Sequence, residues 1–213
     1  TMINLLVKIF VKNPEDIKNS AVRQSYGVLS GGVGICCNIL LFCFKFLAGI
    51  LTGAVSVAAD AFNNLSDAGS SVITLVGFKM AGKPADNDHP FGHGRIEYIS
   101  GLAVAVAIIV MGVELLRQSF DRILQPEAME FSLRSVIILV GSILVKMWMA
   151  YFNYGLGKKI DSAAMKATAT DSLSDCITTS VVLISVFVEF FTGFNIDGYA
   201  GSVVALFVLY AGY

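Results

Sequence analysis

Three aspartates lie inside apolar runs and are spaced to share helical faces. Asp171 and Asp175 stand four apart in Thr170-Asp171-Ser172-Leu173-Ser174-Asp175, so at about 3.6 residues per turn both carboxylates fall on one side of a helix. A second segment, Ala58-Ala59-Asp60-Ala61-Phe62-Asn63-Asn64-Leu65-Ser66-Asp67, stacks Asn63 over Asp67 and puts Asp60 and Asn64 on the same side. At about 1.5 Å per residue, Asp67 sits roughly 18 Å from the start of its apolar run, a depth that Asp171 and Asp175 can meet from the other. Ionised groups near a bilayer centre are costly, so three carboxylates coexist there only if protonated or neutralised by a cation. A divalent ion meets that need. Ser66, Ser70, Ser172 and Ser174 are explained as polar glue between membrane helices. The acidic pairs are not, since no basic residue lies near them in the sequence. Asp60 is open to two readings, a step on an ion pathway or a structural ion pair with Lys45.

These residues need membrane-embedded helices to hold them. The chain has 213 residues, 55% hydrophobic and 15% charged, with a mean hydropathy of +0.73, a balance foreign to water-soluble domains. Runs long enough for a bilayer, about 20 residues each, occur at Gly32 to Leu51, Val55 to Met80, Ile99 to Leu116, Val136 to Tyr154, Ala167 to Phe191 and Ile196 to Tyr213. The expected fold is therefore an all-α integral membrane protein, a bundle of six transmembrane helices, with antiparallel hairpins at the two shortest links. Residues 1–30 read as a cytoplasmic or interfacial segment and 31–213 as the six-helix domain. Of the 15 basic residues, the N-terminal segment and the second and fourth connections hold ten, the opposite side holds Arg117, Arg122 and Arg134, and Lys45 and Lys146 lie inside spans. Basic residues stay on the cytoplasmic side during insertion, so both termini are expected there, in a multi-pass protein of the cell membrane, taken as a bacterial cytoplasmic membrane. The last apolar run reaches Tyr213 without a polar flank and reads as a truncated chain.

Cys36, Cys37, Cys43 and Cys176 have no C-x-x-C spacing and read as small core residues. A net charge of −1 supplies no basic face for nucleic acid. No phosphate-binding loop, nucleotide fingerprint or H-E-x-x-H motif appears, so the energy for any transport comes from an ion gradient. Glu114, Lys146 and Glu189 are further charges within or near spans that the sequence does not pair.

The chain's only two histidines, His89 and His93, follow Asp86 in Lys83-Pro84-Ala85-Asp86-Asn87-Asp88-His89-Pro90-Phe91-Gly92-His93-Gly94-Arg95. Their spacing permits chelation if a helix begins near Pro90. Equally, Asp86 or Asp88 caps a helix whose first turn holds Pro90, leaving the histidines solvated.

Together the Asp60 to Asp67 segment, this loop and Asp171 to Asp175 resemble the cation diffusion facilitator family, in order along nearly the whole chain. The resemblance implies a homodimeric exporter that exchanges cytoplasmic divalent metal for protons, with no tightly bound cofactor. Carried over by position, the transport site is Asn63, Asp67, Asp171 and Asp175, and Asp86, His89 and His93 form a second metal site. It also implies a small cytoplasmic metal-binding domain beyond this chain's end, and a basic residue near Arg95 that holds protomers or domains together. Zinc-transporting relatives typically carry histidine where this chain has Asp171, so the Asn-Asp-Asp-Asp set looks like the manganese branch. Carboxylate and amide oxygens suit Mn²⁺, whereas imidazole favours Zn²⁺; Zn²⁺, Fe²⁺ and Co²⁺ are the alternative cargoes. Protons are expected to replace the departing ion, because carboxylates left without a cation repel one another.

Two other classes compete with this reading. A membrane prenyltransferase-like enzyme would use spaced aspartates to hold Mg²⁺ and a diphosphate, but needs basic residues facing the site, and Lys45 and Lys146 read as isolated. A passive channel would show flux that neither saturates nor depends on protons. The expectation is a transporter and not an enzyme.

Overall fold

The computed structural model describes residues 2–52, 55–87, 89–125, 133–194 and 196–213. Among the described residues, seven helices follow one another: α1 (Met2–Phe10), α2 (Ser20–Thr52), α3 (Val55–Ala81), α4 (Ile96–Leu124), α5 (Leu133–Ile160), α6 (Ala163–Thr192) and α7 (Asp197–Gly212). No strand occurs among the described residues. Among the described residues, four helices, α2, α4, α5 and α6, are long and apolar enough to cross a membrane. Helix α7 is apolar but has 16 residues, and α3 has 27 with a polar interior.

The helices outrun the apolar stretches of the sequence. Helix α2 begins at Ser20, well before the apolar run, and passes the expected boundary at residues 30 and 31 without a break. Polar residues extend a helix readily because its backbone bonds are satisfied internally. Large apolar side chains face outward, among them Leu40, Phe44, Leu102, Val110, Leu144 and Leu206, while Lys45, Asn64, Asp67, Lys146 and Asp171 are buried. This inside-out distribution suits a lipid surround. It also moves some cysteines: Cys36 and Cys43 are exposed and only Cys176 is buried, so the expectation of four core cysteines fails. The apolar phase around a membrane helix makes a cysteine as welcome outside as inside.

Packing is dominated by antiparallel pairs, α2 with α3, α4 with α7 and α5 with α6. In the first pair, small residues let two backbones meet. A Cβ added at Gly31 would lie 2.5 Å from the Leu75 Cβ and 2.9 Å from its Cα. Helix α6 touches α4, α5 and α7, and meets α3 through a hydrogen bond of 2.9 Å between the Thr74 and Thr168 hydroxyls. The start of the chain joins the bundle, because Val7 and Val11 pack in one core with Val22, Tyr26, Phe78, Phe152 and Met165.

Arg23 braces three helices near the ends that adjoin the loop at residues 82–95. Its guanidinium donates to both carboxylate oxygens of Glu97, at 3.2 and 3.1 Å, and to the Ile160 carbonyl. The Glu97 side chain is 9% exposed, so removing its partner strands a buried charge. Arg23→Ala is expected to destabilise the protein by about 1–2 kcal/mol, a figure reduced because Arg23 itself is partly solvated. Thermal melting of the purified protein checks this, and a melting temperature equal to the parent's contradicts it.

Candidate metal centre

Helices α3 and α6 bring Asp67, Asp171 and Asp175 together. Each has a carboxylate oxygen that lies within 4.8 Å of one from both others, and Asp67 and Asp171 are buried. The i, i+4 spacing explains why Asp171 and Asp175 share a face, and the pairing of α6 with α5 turns that face inward. Asn63, one turn from Asp67, lines the same cavity of about 150 Å³, together with Asn64, Ser174 and Thr178. This cavity runs from the carboxylates toward Glu114 and Gln118 on α4, away from the end where Thr74 meets Thr168. Asp60 lies on α3 with its side chain outside the described residues, and so does its expected pairing with Lys45.

The carboxylates are not without a basic neighbour. Lys146, on α5, donates from Nζ to Asp67 Oδ2 and to Asp175 Oδ2, both at 2.6 Å. Lys45 lines the same cavity. Both lysines therefore face the acidic site and are not isolated. Helix α5 is apolar on nearly every side, so its sequence does not reveal which side meets the cavity. The only available signal was the cost of burying an ammonium in lipid, which calls for a carboxylate partner. Asp67 Oδ1 is buried without a hydrogen-bond partner among the described residues. A carboxylate oxygen in that state offers its lone pairs to a cation.

On the loop, Asp86, His89 and His93 also converge, their ligand atoms within 4.8 Å of one another. Asp86 Oδ1 accepts from the His89 backbone N–H at 2.7 Å and lies 3.4 Å from His89 Nδ1, while Asp86 Oδ2 lies 3.5 Å from His93 Nε2. The His89 N–H holds the Asp86 carboxyl below its ordinary range. No helix begins near Pro90, however. Pro90 sits in a turn closed by the Gly92 N–H on the His89 carbonyl, Gly92 takes a φ of +78°, and α4 starts at Ile96. That left-handed glycine interrupts helical winding, so Asp86 caps a turn rather than a helix. Asp88, the other capping candidate, lies outside the described residues.

Comparison with known proteins gives the same direction. The sequence profile of the cation efflux transmembrane domain matches residues 33–213. An uncharacterized transporter of Methanocaldococcus jannaschii is 32% identical over 171 residues, 80% of this chain and 60% of the relative. The manganese efflux system protein MneS of Bacillus subtilis is 28% identical over 176 residues, 83% of this chain and 61% of the relative. Metal tolerance protein C1 of Arabidopsis thaliana is 27% identical, covering 84% of this chain and 41% of the relative. The chain thus spans between about two fifths and three fifths of these relatives' lengths.

Proposed function

The chain belongs to the cation efflux family, and from that premise we propose that it carries a divalent metal cation out of the cytoplasm in exchange for protons, with Mn²⁺ as cargo. The observation that carries this reading is the buried convergence of Asp67, Asp171 and Asp175 around a cavity that Asn63 also lines. All four side chains offer oxygen, the donor suited to Mn²⁺. The name of the Bacillus subtilis relative, a manganese efflux protein, supports the same cargo. Helices α2 to α7 would form the six crossings of each protomer of a homodimer, with residues 1–30 and both termini on the cytoplasmic side of the cell membrane.

Purified full-length protein in liposomes is expected to move Mn²⁺ saturably and to acidify or alkalinise the lumen as it does so. Flux without any pH response would remove proton exchange from the account. Asp171→His tests the choice of cargo, because imidazole brings a nitrogen ligand favoured by Zn²⁺. This variant is expected to shift the ratio of Zn²⁺ to Mn²⁺ transport toward zinc by about tenfold, roughly 1.4 kcal/mol. An unchanged ratio would refute the ligand argument.

The loop trio is proposed as a second metal site near the cytoplasmic mouth. His89→Ala combined with His93→Ala is expected to remove one equivalent of bound metal in calorimetry while leaving the other. A binding curve identical to the parent's would leave Asp86 only its capping role.

A further inference from the structure

We infer that Lys146 is a tethered cation that competes with the transported ion for the carboxylate cluster. This rests on the proposed function, since it assigns a role within the same site. Lys146 comes from α5, which supplies none of the three carboxylates, and its side chain is 5% exposed. Its ammonium bridges the two helices that do supply them, with bonds of 2.6 Å to Asp67 on α3 and to Asp175 on α6. A small divalent ion binds carboxylate oxygen at about 2.0–2.2 Å. It must reach the same carboxylates whose Oδ2 atoms the ammonium now holds, in a cluster whose ligand atoms lie within 4.8 Å of one another.

Ammonium and ion cannot share that space, because like charges a few ångströms apart in a poorly screened interior repel strongly. Entry of the ion therefore requires the lysine to swing away, and release of the ion is assisted by its return. The cavity leaves room for this movement, and Glu114 on its wall supplies another carboxylate for the displaced ammonium. Charge balance follows the same logic. Three ionised carboxylates carry −3, which the ammonium lowers to −2 while it is in place and a divalent ion lowers to −1 once it has replaced it. Lys146 thus sets both how tightly the cargo is held and how readily it leaves.

The test compares Mn²⁺ binding by calorimetry and Mn²⁺ flux in liposomes for full-length protein and its Lys146→Met variant, which keeps most of the unbranched side chain and loses the charge. Lys146→Met is expected to bind Mn²⁺ about tenfold or more tighter while its maximal flux falls. In chelator it is expected to melt below the parent, and added Mn²⁺ to raise its melting temperature by more than it raises the parent's. A purely structural lysine would give weaker binding instead. If the parent binds Mn²⁺ and the variant binds it equally or more weakly, the inference is overturned. If the parent binds no divalent ion, the site assignment falls and this inference with it. Should Lys146→Met fail to fold, Lys146→Gln is read by the same criteria.

Discussion

Full-length protein carrying Asp67→Asn is expected to lose Mn²⁺ flux by roughly 100-fold or more, larger than the 10–100-fold typical of changes just outside a metal's direct ligands. The substitution keeps the shape of the side chain and one oxygen donor. It removes the charge, and Asp67 is the only one of the three clustered acids that α3 contributes. Without it, a cation drawn to Asp171 and Asp175 is held by carboxylates of one helix alone. Lys146 also loses one of its two carboxylates. Flux through Asp67→Asn within threefold of the parent's would show that the ion travels elsewhere.

The second large effect is on folding. Gly31→Leu is expected to leave little folded protein, because the new side chain would enter the α2 and α3 seam where even a Cβ meets Leu75 at 2.5 Å and the Leu75 Cα at 2.9 Å. Backbone atoms cannot turn aside as a flexible side chain can, so the two helices must separate. Overpacking of this kind costs on the order of 1–3 kcal/mol or more, and α3 is the element that carries Asp67. The adjacent Gly32 has nothing within 4 Å of a built Cβ, so Gly32→Ala is expected to be silent. Size-exclusion profiles and melting temperatures of both variants check the contrast. Equal behaviour of the two would show that close approach at Gly31 is not needed.

Much of this arrangement was legible before any coordinates. A period of 3.6 residues put Asp171 beside Asp175 and Asn63 beside Asp67, and long apolar stretches marked the helices that carry them. What the sequence withheld was rotation. In water, a helix shows its buried side by its apolar stripe, but in lipid both sides are apolar. Hence Lys146 gave no sign that it faces Asp67 and Asp175 rather than another charge. Helix ends were obscured for a related reason, since polarity ends an apolar run without ending the hydrogen bonding that lets α2 start at Ser20. The loop between α3 and α4 turned on one backbone angle. Spacing alone allowed a helix from Pro90, and the left-handed Gly92 prevents it while still leaving Asp86, His89 and His93 close.

In the proposed transport site one divalent ion lies between α3 and α6. Anomalous X-ray scattering at the manganese absorption edge, from crystals of the full-length protein grown with Mn²⁺, tests it most directly. The expected result is a peak about 2.0–2.3 Å from carboxylate oxygens of Asp67, Asp171 and Asp175, with the Lys146 ammonium moved away. A manganese peak on Asp86, His89 and His93 alone, with Lys146 still bonded to Asp67 and Asp175, would contradict the account.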